Sequence, residues 1–383
     1  MILFQTVVVY GIMTLFMYYI SKYSMSKKES SLCFVVFIYA SVMGMRYGVG
    51  IDFYNYKDLY LGWDASEYKY NDIVEPGYGL LMSVCKIVGL SYPAFFFLLS
   101  FLQLFFILFT LKNINGSVPY VCLSFILTGI GVISFTNGIR QCLSFSLFVY
   151  SLNYICRRSF AKYLFVILVA TSIHKSALML LPFYAFAYVN ITFLEKKIMA
   201  FIPAICIFIM FSGIENEFLG YFDTIIFFLG YDKYLDRSEM MDVIASLGFT
   251  DILYAIINTA IILSIKRIRM TFEKQSNLIR IIYLLWLIGI IGETLFRGSL
   301  MLQRVFLYFT SFKFIMYGLF LLYTRKNYSK KIYGISGYNL MFYFVNVTLY
   351  WRFFRILCSA SSYTADYIFF FQEDLYIYKH MQI

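Results

Sequence analysis

The sequence predicts an all-α, polytopic transmembrane bundle of about 11–14 spans, and three observations predict it. Of 383 residues, 61% are hydrophobic and 14% charged, whereas soluble domains run nearer half and a quarter. A water-soluble body of this size could not bury that much apolar surface, which excludes a cytosolic enzyme, a disulfide-stapled secreted domain and a disordered regulator. Apolar runs recur along the chain, and lysine and arginine collect in every second connection between them. That alternation marks the positively charged cytoplasmic side of a membrane protein.

Residues 1–20 form the first run, with no basic residue before them and Lys22, Lys27 and Lys28 after. A cleaved signal carries positive charge at its start, so this reads as a retained helix with its N-terminus outside. Further runs lie near 31–45, 92–111, 118–136, 139–156, 161–173, 177–194, 198–213, 248–265, 279–296, 300–323 and 332–350. The basic clusters are Lys22/Lys27/Lys28, Lys112, Arg157/Arg158/Lys162, Lys196/Lys197, Lys266/Arg267/Arg269/Lys274/Arg280 and Arg325/Lys326/Lys330/Lys331. They alternate only if the amphipathic stretch 76–90, which carries Lys86, does not cross fully. It is therefore expected to be a re-entrant or interfacial helix on the outer side. The stretch 356–371 holds Ser359, Ser361, Ser362, Thr364 and Asp366 and is assigned neither as span nor as loop. With no internal repeat and no linker, 1–383 reads as a single integral membrane domain.

The net charge of +11 follows from the cytoplasmic loops and calls for no nucleic acid. Seven scattered cysteines without a C-x-x-C read as packing residues. His174 and His380 are the only histidines, so no metal centre and no cofactor is expected.

The outer side is unusual. Two sizeable loops, 46–75 and 214–247, are rich in Asp, Glu, Tyr and Gly, and polar residues stand at 137–141, 174–176 and 297–304. Arg46, Arg140, Arg297 and Arg304 all fall there, against the positive-inside trend. An arginine facing lipid is costly; one alone reads as a snorkelling anchor, but four suggest a bound anion. The planar guanidinium fork suits phosphate and diphosphate. Arg297 and Arg304, seven residues apart, share a face if their helix is continuous, and Glu293 stands at i+4 from Arg297 as a charge partner. Lys313 lies deeper, for pairing with a carboxylate or with backbone carbonyls. His174 closes an apolar run and suits a general base; Asp52 is the second candidate. Glu75 precedes Pro76, and for both acids helix or turn capping is the plainer reading. Tyr47, Tyr54, Tyr56, Tyr60, Trp63, Tyr68, Tyr70 and Tyr78 interleave with these groups and could stack on sugars. No P-loop, zincin or serine-hydrolase motif is present.

The segments Arg46-Tyr47-Gly48-Val49-Gly50-Ile51-Asp52 and Glu75-Pro76-Gly77-Tyr78 resemble the opening signature of the EpsG-like, Wzy-type family of bacterial polysaccharide polymerases. Asn137-Gly138-Ile139-Arg140-Gln141, Ser172-Ile173-His174-Lys175-Ser176-Ala177 and, more distantly, Arg304-Val305-Phe306-Leu307-Tyr308-Phe309 continue the likeness. Ile51 and Phe53 depart from it. The resemblance implies an O-antigen or exopolysaccharide polymerase in the bacterial inner (cytoplasmic) membrane, its active site facing the periplasm. Such an enzyme is a metal-independent, inverting glycosyltransferase. Its partners would be undecaprenyl-diphosphate-linked donor and acceptor oligosaccharides and a chain-length regulator protein, with the two outer loops facing the glycan. The four arginines would hold the diphosphate, His174 or Asp52 would take the acceptor proton, and Glu75, Tyr54, Gln141 and Tyr308 would contact the glycan. An O-antigen ligase and a lipid-linked oligosaccharide flippase are the alternatives. An O-acyltransferase is disfavoured, because it needs its histidine on the cytoplasmic side.

Overall fold

A computed structural model describes residues 2–24, 30–63, 74–214, 248–328, 337–358 and 367–372. Tyr68, Tyr70, the acidic loop beyond Ile214 and residues 359–366 lie outside the described residues. The architecture is all-α and polytopic. Among the described residues, five helices are long and apolar enough to cross a membrane: Ile2–Tyr23, Tyr92–Leu111, Phe249–Thr271, Glu273–Leu295 and Leu302–Lys326. The chain divides into two compact units, Met1–Tyr188 with Leu349–Ile383, and Val189–Thr348.

The first unit begins with α1 (Ile2–Ser24) and α2 (Ser30–Gly44), followed by the two-residue strand β1 (Arg46–Tyr47). Two short helices come next, α3 (Phe53–Leu61) and α4 (Pro76–Ile87), then α5 (Tyr92–Leu111) and α6 (Ser117–Leu127). A π-helical turn at Ile130–Ser134 and one turn of helix, α7 (Phe135–Asn137), lead into α8 (Ile139–Cys156) and α9 (Phe160–Ile173). Pro76 and Pro93 sit in the first turns of α4 and α5, where a missing N–H leaves nothing unsatisfied. At 12 residues α4 is about 18 Å long, too short for a ~30 Å hydrocarbon layer. It buries Tyr78, Gly79, Met82 and Cys85, one face of a helix. Lys86 Nζ donates to the Leu61 and Trp63 carbonyls and the Trp63 indole donates to Ser83 Oγ, so α3 and α4 form one layer.

The run expected as a single helix over 118–136 is bent by 70° where α6 gives way to the π-helical turn. Gly129, in the left-handed region, allows the break. The apolar run after His174 is a 3₁₀ helix, Lys175–Ala187.

The C-terminal strand β2 (Ile368–Phe369) pairs antiparallel with β1, Arg46 opposite Phe369. Tyr367 N–H donates to Thr6 Oγ1 at 2.8 Å, Tyr367 O–H to the Val42 carbonyl at 2.6 Å, and Phe370 N–H to the Met45 carbonyl at 2.9 Å. Extended backbone between apolar helices survives only with its polar groups paired in this way. The strap ties the start of α1 to the end of α2.

The second unit holds α10 (Ile202–Ser212), α11 (Phe249–Thr271), α12 (Ser276–Leu295), α13 (Leu300–Thr310) and α14 (Phe312–Lys326). The last helix, α15 (Gly337–Cys358), is divided between the units at Leu349. The run expected over 300–323 is one candidate span, Leu302–Lys326, in which the single residue Ser311 separates α13 from α14.

Candidate functional site

The first unit gathers its polar side chains around one carboxylate. Glu75 is the N-cap of α4, in extended conformation, and its side chain does not cap the helix; it reaches two other elements instead. Its Oε2 forms an ion pair with Arg140 Nη1, from the first turn of α8. Its Oε1 lies 3.0 Å from His174 Nδ1, at the end of α9, and accepts the Lys175 N–H at 3.2 Å. The carboxylate is 8% exposed, the Arg140 side chain 22% and that of His174 27%. Burial alone would raise the Glu75 pKa. The hydrogen bond from His174 and the charge of Arg140 outweigh it and hold the carboxyl down at about 2.

That charge fixes the histidine. An ionised carboxylate only accepts, so Nδ1 is the donor, and in the neutral ring Nε2 carries the lone pair. A carboxylate orienting an imidazole in this way leaves the far nitrogen free to take a proton.

Arg140 is shelved by aromatic faces, its guanidinium 5.7 Å from the Tyr78 ring and 6.0 Å from the Tyr56 ring. Burial raises the pKa of both phenols, that of Tyr78 well above the usual value, so both stay neutral beside the cation. The Tyr78 hydroxyl is buried and has no hydrogen-bond partner among the described residues.

Two glycines make the close approaches possible. At Gly77, a Cβ would stand 2.2 Å from Ser172 Oγ and 2.9 Å from the Ser172 carbonyl. Only hydrogen there lets α4 lie against the end of α9, which brings Glu75 to His174. Gly50, at φ +98°, packs on Asn137, whose Oδ1 is 2.5 Å from where a Cβ would be. This holds the 48–52 turn against the break before α8. Asp52 caps α3 by position, without a side-chain capping hydrogen bond. The Tyr54 ring packs edge-on against Tyr47 and Phe53, and Gln141 is buried in α8.

Arg46 is 1% exposed. Its Nη1 donates to the Met43 carbonyl, its guanidinium lies 4.9 Å from the Phe96 ring, and it has no ion-pair partner among the described residues. Its electrostatic neighbours are Tyr39, Tyr10, Tyr367 and Tyr78.

The other two expected arginines belong to the second unit. The helix carrying Arg297 and Arg304 is not continuous: α12 ends at Leu295 and α13 starts at Leu300, with Gly298 in the gap. Arg297 thereby leaves the i+4 register and pairs with Asp251, Nη2 to Oδ2 at 2.9 Å, not with Glu293. Glu293 takes Lys313 instead, at 2.5 Å, which answers how that deep lysine is satisfied. Arg304 is exposed on α13, and Tyr308 is fully buried there.

The residues of the 46–52, 75–78, 137–141 and 172–177 segments were each legible as polar interruptions. The joint role of Glu75 was not. Its signal is Pro76-Gly77, a helix start followed at once by a residue without a side chain.

Compared with known protein families, the chain matches the model of the EpsG family over residues 29–369. No curated protein and no solved structure matches it.

Proposed function

Because the chain belongs to the EpsG family, a family of polysaccharide polymerases, we propose that the Glu75 cluster is the catalytic centre of an inverting glycosyltransferase. It extends a bacterial surface polysaccharide at the periplasmic face of the inner membrane. The donor is a glycan on undecaprenyl diphosphate and the acceptor a lipid-linked repeat unit. The carrying observation is that one buried carboxylate holds a histidine by one oxygen and an arginine by the other.

The acceptor's non-reducing-end hydroxyl gives its proton to His174 Nε2 as its oxygen attacks the donor's anomeric carbon. The bond from that carbon to the diphosphate oxygen breaks, and the electron pair leaves with the lipid diphosphate. Inversion requires the attacking and departing oxygens on opposite faces of the sugar. Glu75 suits this, because its two oxygens separate the group that takes the proton from the group that meets the anion. Arg140, a guanidinium fork whose geometry matches phosphate oxygens, meets the charge developing on the diphosphate. Its place in the first turn of α8 adds the helix dipole to the same end. Glu75 is on this reading a positioning residue, and Tyr54, Gln141 and Asp52 are left to the glycan. Arg46, enclosed by rings, supports the site from behind without touching substrate.

The test is the glycan pattern of cells carrying Arg140→Ala. The protein should remain in the membrane while surface glycan stops at one repeat unit on its lipid anchor. Unchanged long chains would overturn the assignment. A total loss of surface repeat would indicate a flippase, and polymer retained on undecaprenyl diphosphate a ligase.

A further inference from the structure

Helix α3 turns one aromatic face inward. Phe53, Tyr56 and Tyr60 are its buried residues, spaced by three and then four positions and so on one side of the helix. Tyr60 uses its hydroxyl inside the protein: it donates to the Leu90 carbonyl at 2.7 Å, and its ring stacks on Phe95. Tyr56, one turn earlier, meets Arg140 instead.

Chemistry fixes the direction of that contact. The Tyr56 hydroxyl is hydrogen-bonded to the Arg140 side chain and to the Arg140 backbone. Both bonds favour the ionised phenol, as only donors do, and a guanidinium and a peptide N–H can only donate. The phenol oxygen therefore accepts twice. The Arg140 N–H belongs to the first turn of α8, where a helix has free donors, so one oxygen caps α8 and holds its arginine.

A hydroxyl that accepts two bonds has one capacity left, its own proton. Among the described residues nothing accepts the proton of Tyr56. The Asp52 carboxylate is an electrostatic neighbour of this hydroxyl and not its hydrogen-bond partner. Tyr56 is 9% exposed, and a buried donor without an acceptor is costly. Accepting from a cation polarises the O–H and strengthens it as a donor, while burial keeps the phenol protonated. An anionic oxygen arriving beside Arg140 is the partner such a donor fits.

We infer that the Tyr56 hydroxyl donates a hydrogen bond to the diphosphate oxygen that leaves the anomeric carbon. The inference rests on the reading of Arg140 as the diphosphate ligand, and adds a neutral donor to the same anion. The proton stays on Tyr56 and the electron pair departs with the lipid diphosphate. A donor aimed at developing charge acts mainly on the chemical step.

The test is polymerisation of a lipid-diphosphate-linked repeat unit by the full chain in nanodiscs. Tyr56→Phe keeps the ring beside Arg140 and removes the O–H; kcat should fall about 10²-fold with KM changed by less than about threefold. Tyr60→Phe removes a hydroxyl already bonded to Leu90 and should change kcat by less than about threefold. Mono- and difluorotyrosine in place of Tyr56 separate donation from a structural role, because each fluorine makes the phenol a better donor and a poorer acceptor. At a pH where all these phenols stay protonated, kcat should rise about two- to threefold along the series. A flat or falling series, or an unchanged kcat in Tyr56→Phe whatever its KM, would overturn the inference. The fluorinated side chains nearly match tyrosine in shape, so the series decides even where Tyr56→Phe does not fold. If Arg140→Ala stops chain growth while Tyr56→Phe keeps its rate, this inference alone falls. If Arg140→Ala still makes long chains, the catalytic reading falls and takes the inference with it.

Discussion

The two units handle buried charge in opposite ways. In the second, the ion pairs join one cation to one carboxylate: Arg297 to Asp251, Lys313 to Glu293 and Arg269 to Glu195. In the first, a single carboxylate receives an arginine, a histidine and a backbone N–H, while Arg46 lies buried with no ion-pair partner among the described residues. Among the described residues, this cluster shows one ion-paired carboxylate, Glu75, against the two arginines Arg46 and Arg140. A cluster with that imbalance is prepared for an incoming anion, and a cluster of closed pairs is built to hold helices together. This teaches why the presence of arginines alone is a weak guide to a site: their partners decide.

The comparison breaks most sharply under parallel carboxylate substitutions. Glu75→Gln removes the charge that orients His174 and holds Arg140, and should lower polymer formation by about 10²–10⁴-fold, the range of a lost general base with its orienting group. Asp251→Asn opens a pair whose side chains are 21% and 25% exposed, and should cost less than about tenfold. In vitro polymerisation with matched amounts of membrane protein checks both. Equal losses would show that the second unit is no mere scaffold.

His174→Gln comes next. It keeps a polar side chain of similar reach but no ring nitrogen to accept a proton, and a drop of about 10²-fold is expected. Full activity would move the base to Asp52.

What could be read from the sequence, and what could not, follows the same division. Hydropathy marks spans because the bilayer demands long apolar runs. Arg140, His174 and Glu75 were visible because polar residues at the ends of such runs are costly without a purpose. Their partnership was not, since Glu75 is 65 residues from Arg140 and 99 from His174. The choice of Asp251 over Glu293 by Arg297 depends on the helix ending at Leu295, a backbone event that an i+4 count cannot foresee. The pairing of Arg46 with Phe369 joins opposite ends of the chain through a two-residue ladder, too short to leave a period-two signal.

A smaller effect tests whether the first cluster depends on close helix approach. Gly77→Ala places a methyl group against Ser172, and α4 must shift. Activity should fall about tenfold, with the protein still inserted. Ser172→Gly in the same chain should recover part of the loss, because it removes the nearest contact at 2.2 Å and leaves the carbonyl contact at 2.9 Å. A double variant no better than the single would show that Gly77 acts through its own backbone.

The smallest effect is on stability against pH, and its sign is fixed by the same contacts. The Glu75 carboxyl lies at about 2 in the folded chain against 4.5 for the free group. A depressed acid stabilises the fold at every pH above its unfolded value. That contribution is lost as pH falls from 4.5 towards 2, where the folded form must accept a proton and release His174 and Arg140. Thermal melts in nanodiscs should therefore show no contribution of this group to the pH dependence between 5 and 8, and a decline below 4.5. Glu75→Gln, which has no proton to gain, should melt lower near neutrality and lose part of that acid slope. Asp251→Asn supplies the control, because Asp251 accepts from Arg297 and the Gly248 N–H, whereas three donors converge on Glu75. If the wild type and Glu75→Gln had superimposable slopes below pH 4.5, the carboxylate would not be held by these donors in the membrane, and the comparison between the units would fail at its base.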